Sequence, residues 1–190
     1  MASGSRGLAT ASGLRPLVDR AVADPAAFGA VYDLMVDRIF AFAYRQLGAQ
    51  AEAEDVTSET FMRALASLHR FSWRAGGFEA WIMRIARNLC LDHLRTRTRS
   101  AVGDPAATEA SATDEPGPEQ AVLAAESAAW LWRQVSRLPE AQREIVLLKY
   151  TVGLSNREIG AVTGRTATAV SSLLNRATTQ LRKRFGDYAG

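Results

Sequence analysis

The sequence predicts an all-α protein built as two small helical domains joined by a flexible acidic linker. Three observations predict it. Large apolar residues recur at spacings of three and four in both halves of the chain, and no run shows the strict alternation of a strand. Between the halves, residues 100–119 read SAVGDPAATEASATDEPGPE, with three prolines, two glycines, five acids and one large apolar residue, Val102. Such a segment buries too little surface to offset the entropy of ordering it, so it is expected to be a linker. The domains then cover residues 25–99 and 120–187, after a loose leader over 1–24. Each domain is roughly 70–80 residues, near the lower end of what folds alone.

The elements follow in order. Phe28, Val31, Tyr32, Met35, Ile39 and Phe42 make one apolar stripe on a first helix. Phe61, Ala64, Leu65 and Leu68 make a second, and Phe78, Trp81, Ile82, Ile85, Ala86 and Leu89 a third. In the other domain Leu131, Val135 and Leu138 suggest a helix that ends before Pro139, because the residue preceding a proline disfavours helical backbone. Glu140 to Tyr150 suggests the next. Ser155 with Glu158 three residues later forms a capping box for a short helix that closes near Gly164. Thr166 then caps a last helix running toward Phe185, with Val170, Leu174, Ala177 and Leu181 on its buried side.

Composition narrows the function classes. Hydrophobic residues at 47% and charged residues at 23% fit an ordinary globular protein rather than a disordered or fibrous one. No apolar run approaches the roughly 18 residues of a membrane-spanning helix, so no membrane insertion is expected. Residues 1–10 have no apolar segment of the kind a signal peptide needs, and the expected compartment is the cytoplasm. A single cysteine, Cys90, excludes an internal disulfide and a cysteine-based zinc site. Beside Leu89 on its helix, it reads as a buried thiol.

Charge is divided unevenly. Residues 1–99 carry 13 arginines against 10 acids, residues 100–119 five acids and no base, and residues 120–190 ten bases against five acids. Two basic lobes flank an acidic connector, and a basic lobe draws phosphate by counterion release.

Three surfaces carry the chemistry. Residues 155–176 hold two short helices, a turn at Gly164, and Gly160 where a side chain would push the helices apart. That is the helix-turn-helix pattern, which places its second helix in a DNA major groove. The exposed side of that helix would show Arg165, Thr166, Thr168, Ser171, Ser172, Asn175 and Arg176, followed by the basic Arg182, Lys183 and Arg184; these types donate to phosphates and base edges. The bland reading is a helical hairpin with a solvated polar side. In the first domain, Arg84, Arg87, Asn88, Asp92, Arg95 and Arg99 share one helix face, opposite the apolar stripe. Just upstream lies Phe71-Ser72-Trp73-Arg74-Ala75-Gly76-Gly77-Phe78. Aromatics beside arginines suit unstacked bases of single-stranded DNA. Trp81, inside the stripe, reads as core; Trp73, off the stripe and beside Arg74, reads as functional. The third surface is the acidic patch Glu52, Glu54, Asp55 and Glu59, whose acids also suit a helix N-terminus. Its functional reading is a docking surface for a partner protein. No histidine or cysteine lies near it, so no metal is expected there.

No nucleophile elbow, phosphate loop or zinc-protease motif is present, and His93 beside Asp92 is no dyad because helix neighbours point apart. The chain is therefore expected not to be an enzyme and to need no cofactor.

At this point two blocks resemble a known family. Residues 52–64, EAEDVTSETFMRA, and 78–88, FEAWIMRIARN, with 91–95, LDHLR, are similar to region 2 of the extracytoplasmic-function (ECF) sigma factors of RNA polymerase. Residues 138–144, LPEAQRE, through 153–159, GLSNREI, are similar to region 4. The likeness spans roughly residues 27–98 and 122–185. It implies a protein that binds core RNA polymerase, recognises the −35 and −10 promoter elements, melts DNA and starts transcription of a regulon. It further implies that Asp55, Glu59, Phe61 and Arg63 lie in the helix that docks on the β′ clamp helices. Phe71, Trp73, Arg74, Arg84, Arg87, Asn88, Asp92, Arg95 and Arg99 would handle the −10 element. Region 4 would sit on the β flap and read the −35 element through Arg165, Thr166, Thr168, Ser171, Ser172, Asn175, Arg176, Arg182 and Lys183. An anti-sigma factor is an implied partner. The sequence departs from the family in the recognition helix: Thr166 stands where a proline is common, and Ser171-Ser172-Leu173 replaces a Lys-Ser-Arg triplet. A stand-alone helix-turn-helix regulator remains the competing reading, and it leaves the 71–99 surface without a use.

Overall fold

The computed structural model describes residues 11–74, 76–101 and 129–189, and within these every regular element is a helix. The linker expected at 100–119 falls almost wholly outside them. The first module begins earlier than the sequence suggests. Helix α1 (Ala11–Ala23) occupies most of the expected leader, with Leu14, Val18 and Ala21 buried. A 3₁₀ turn, Pro25–Phe28, follows; Asp24 caps it by accepting the Ala26 amide at 3.0 Å.

Helix α2 (Gly29–Leu47) carries the predicted stripe inward through Val31, Met35, Ile39 and Phe42. Tyr32 is the exception, at 42% exposure. The helix stops at Gly48, whose φ of 76° lets its amide close back on the Tyr44 carbonyl at 2.8 Å. Helix α3 (Gln50–Ser67) packs against it with Ala53, Val56, Phe61 and Ala64 buried, while Leu65, expected on the buried stripe, is 42% exposed. A 3₁₀ turn at Leu68–Arg70 leads to the 71–76 loop and to the long α4 (Gly77–Ala101), which lies against α2 and α3.

The second module holds α5 (129–136), α6 (Glu140–Tyr150), α7 (Asn156–Thr163) and α8 (Ala167–Ala189). As expected, α5 ends before Pro139, but its inner side is Val135 with half-buried Trp132, and Leu131 points to solvent. Ile145, Leu147 and Leu148 of α6, Ile159 of α7, and Val170 and Ala177 of α8 form its interior. Each such large apolar side chain contributes roughly 1.5–3 kcal/mol on burial. The two modules touch: α4 packs on α7 and α2 on α6, so one apolar cluster runs from Leu14 to Ala177.

Candidate nucleic-acid interface

Backbone geometry and rings shape the described residues of the 71–77 loop on either side of Ala75. Phe71 leaves the 3₁₀ turn in extended conformation, and Gly76 and Gly77, with φ of 104° and 65°, turn the chain into α4. Phe71 lies at the centre of an aromatic cluster, its ring 5.1 Å from Trp73, 5.3 Å from Phe78 and 5.2 Å from Trp81. Trp73 is only half-buried, yet it is not a free ring. Its Nε1 donates to Asp19 Oδ1 at 2.7 Å, and the Arg15 guanidinium sits 4.9 Å from its centroid. Both partners come from α1, which the sequence reading treats as leader. Trp81, read as core, is half-buried in the same cluster.

Arg70, Arg74 and Arg84 converge with Phe71 and Trp81 on a cavity of ≈200 Å³. Among the described residues no carboxylate lines it, so three cations face a space walled by ring surfaces. That combination suits a phosphate and an unstacked base together. Along α4, Arg84, Asn88, Asp92, Arg95 and Arg99 are exposed on the predicted face. Asp92 and Arg95 pair at 3.2 Å. Arg87 behaves differently: its Nε donates to Glu144 Oε1 at 2.5 Å across the module boundary, and its side chain is 22% exposed. The face is therefore continuous in sequence and partly covered in space.

The helix-turn-helix is built as its residues predict. Ser155 accepts the Glu158 amide at 3.3 Å while Glu158 Oε2 accepts the Ser155 amide at 2.7 Å, completing the capping box. Gly164, at φ 71°, ends α7. A Cβ on Gly160 would stand 2.5 Å from the Arg165 carbonyl oxygen, so this turn accepts only glycine without shifting backbone. Thr166 caps α8 by accepting the Ala169 amide at 3.1 Å. All nine side chains assigned to the −35 element, from Arg165 to Lys183, are exposed. Several are already engaged locally. Ser171 and Ser172 donate to the carbonyls of Ala167 and Thr168, and Ser171 also accepts from Asn156 Nδ2 at 2.8 Å. Asn175 and Arg176 border an open groove with Ser172. Arg184, read as part of the basic tail, instead donates to the Gln134 carbonyl at 3.1 Å and fastens α8 to α5.

On α3, Asp55 is exposed, and Glu59 pairs with Arg63 at 2.6 Å. Phe61 lies on the buried stripe, as its spacing predicts: it is 6% exposed, with its ring 4.5 Å from Tyr32 and 6.2 Å from Phe28. The apolar groups that do reach solvent here are Tyr32, Met62 and Leu65. The sequence reading placed Tyr32 and Leu65 on buried stripes because their spacing fits one; which edge of a stripe stays uncovered is decided by how the neighbouring helices pack. Glu52, from the same acidic patch, is turned to Arg97 at 3.4 Å.

Comparison with known proteins agrees with this arrangement. Residues 31–100 match the Sigma-70 region 2 family and residues 128–181 match Sigma-70, region 4. The chain is 39% identical over 175 residues to the ECF RNA polymerase sigma factor BldN of Streptomyces coelicolor, covering 91% of this chain and 66% of that relative. It is 31% identical to the ECF RNA polymerase sigma factor SigW of Bacillus subtilis, covering 86% of this chain and 91% of the relative. Its fold is similar to that of the sigma factor RpoE of Bartonella quintana, solved in complex with the anti-sigma factor NepR, with a TM-score of 0.70 at 23% identity over 82% of this chain and 94% of that one. Two helical modules in this order, an arginine-and-aromatic cavity lined mainly by the first and a capped helix-turn-helix in the second, together with these matches, mean that the chain belongs to the ECF RNA polymerase sigma factors.

Proposed function

We propose that this chain docks on core RNA polymerase through α3, reads the −35 element with α8 and opens the −10 element at the 71–77 loop and α4. The observation that carries the reading is the cavity between Arg70, Arg74 and Arg84, walled by Phe71 and Trp81 and lined by no acid among the described residues. Melting DNA costs a few kcal/mol per unstacked step, and holding a displaced base against rings and its phosphates against guanidiniums offsets that cost. Arg84, Asn88, Arg95 and Arg99 extend the phosphate track along α4; Asp92 orients Arg95. On α8, Arg165, Asn175, Arg176, Arg182 and Lys183 carry the duplex contact, and the neutral Ser171-Ser172 pair contributes hydroxyls rather than charge.

Docking on polymerase rests on exposed Asp55 and on Tyr32, Met62 and Leu65, with Phe61 supporting Tyr32 from beneath. The β′ clamp helices and the β flap are the expected polymerase surfaces, an anti-sigma factor the expected antagonist, and the cytoplasm the expected compartment. The chain adds binding energy and no catalytic group of its own.

The test is run-off transcription with core polymerase on promoter fragments, paired with Asp55→Arg. The substituted side chain is exposed, so the fold is retained by circular dichroism while co-purification with core polymerase and defined transcripts are lost. Normal co-purification would remove α3 from the docking surface. A stand-alone regulator would instead protect duplex DNA without polymerase.

A further inference from the structure

The first half of α8 offers DNA two exposed hydroxyls, Ser171 and Ser172, in place of charge. A serine hydroxyl has one hydrogen to give and two lone pairs that accept. At Ser171 two of these three sites are taken. Its Oγ donates to the Ala167 carbonyl at 3.0 Å and accepts from Asn156 Nδ2 at 2.8 Å. With the serine hydrogen on Ala167, Oγ shows lone pairs to Asn156, and only the NH2 of the amide can bond there. One lone pair is left for a ligand. Ser172 also gives its hydrogen to its own helix, on the Thr168 carbonyl at 3.1 Å, but among the described residues no second partner fixes it.

Asn156 is the first residue of α7, half-buried, and reaches Ser171 from the other helix of the motif. Its placement is set twice over. The Ser155–Glu158 capping box fixes where α7 begins, one residue before it, and the tight packing of Gly160 on the Arg165 carbonyl fixes how near α8 lies. Bonded in this way, Asn156 holds Ser171 in one staggered rotamer. By donating to Oγ it also polarises the hydroxyl and strengthens the bond to Ala167.

We propose that Asn156 is a positioning residue for −35 readout: by holding Ser171 as a hydrogen-bond acceptor, it makes α8 select a base with an exocyclic amine, adenine or cytosine, at the position Ser171 faces. The inference deepens the reading of α8 as the −35 helix and rests on it. In the major groove adenine N6 and cytosine N4 are donors, whereas guanine shows N7 and O6 acceptors and thymine an O4 acceptor and a methyl group. An amine meets the free lone pair with every existing bond kept. Guanine or thymine requires the hydroxyl to turn outward and leave Ala167. That loses one hydrogen bond, roughly fivefold in affinity. Without Asn156 the side chain is free to change rotamer and to donate or accept, and the preference fades.

The experiment uses holoenzyme assembled from core polymerase and the full chain. It is bound to promoter fragments randomised through the −35 element, and the bound fragments are sequenced. Ser171→Ala marks the position that Ser171 faces, as the one whose preference it flattens. Wild type should favour adenine or cytosine there on one strand by roughly fivefold, and Asn156→Ala should flatten the same position and leave the others. The amine is then deleted from the selected base, with purine for adenine or 2-pyrimidinone for cytosine. Wild type should lose about fivefold and Asn156→Ala less than about twofold, a coupling that a residue with a purely structural role does not show. Guanine or thymine selected at that position overturns the inference. So does a Ser171→Ala profile with no position flattened, or an Asn156→Ala profile that matches wild type or weakens evenly at every position. In those cases loss of −35 selection on Arg176→Ala still supports the −35 reading. If wild type, Ser171→Ala and Arg176→Ala all bind the library with no −35 preference, it is the reading of α8 that fails.

Discussion

Cys90 lies on the inner side of α4 with 1% of its surface exposed, and burial pushes its thiol up to about 12. The reactive species is the thiolate, so the folded chain should resist alkylation at pH 8 and react only as fast as it unfolds. Rapid labelling of the native protein would place Cys90 at an accessible edge. The sign of the pH dependence follows. The folded pKa is above the unfolded one, near 8.5, so this group's contribution to stability is complete below about pH 8.5 and declines as pH rises toward 12, by at most ~1.4 kcal/mol per unit. Gly160 is the other residue whose role is decided locally. With Arg165 O standing 2.5 Å from a would-be Cβ, Gly160→Val must displace the α7–α8 turn, costing about 1–3 kcal/mol. A lowered melting temperature and weaker −35 binding by the holoenzyme are the expected readouts. A residue-level reading of the sequence finds Gly160 because it depends on near neighbours in the chain, and Cys90 because it falls beside Leu89 on the apolar side of its helix. It misplaces Leu65, Leu131 and Arg184, whose exposure or partners are set by other helices.

Helix α7 is eight residues long, too short to persist by propensity, so its cap and its packing hold it. Ser155→Ala removes one half of the capping box and should cost about 1 kcal/mol, a fall in melting temperature of a few degrees, with spectroscopic helix content nearly unchanged. No change would mean that packing of Ile159 and Val162 alone fixes the helix start. At this scale the sequence is most legible. The stripes of α2, α3, α4 and α8 have the 3.6-residue period, and α6 and α7 are bounded by Pro139, Ser155 and Gly164. Helix α1 escapes notice for physical reasons. Its inner residues are few, a proline, Pro16, falls inside it, and it has no acid in its first turn. What holds it is contact with distant residues: Leu14, Val18 and Ala21 are buried in the core, and Asp19 and Arg15 meet Trp73.

Promoter recognition belongs to the whole molecule, because its two reading surfaces lie on different modules. The free chain should leave no specific footprint on duplex promoter DNA, whereas core polymerase plus the chain should protect both elements. That protection should weaken with salt, with a slope of about −0.9 per phosphate neutralised, because arginines dominate both surfaces. A specific footprint without polymerase would favour the stand-alone regulator. Taken by itself, the sequence determined the all-α class, the two-module order, the capped helix-turn-helix and the arginine-lined face, since each is written in spacings of three or four residues or in a cap and its glycine. Only the tertiary structure decided that Arg87 faces Glu144, that Arg45 lies on Trp132, that α1 covers Trp73 and that Tyr32 and Leu65 stay in solvent. Those outcomes join residues tens of positions apart, and pairing at that range depends on how whole helices stack rather than on any local pattern.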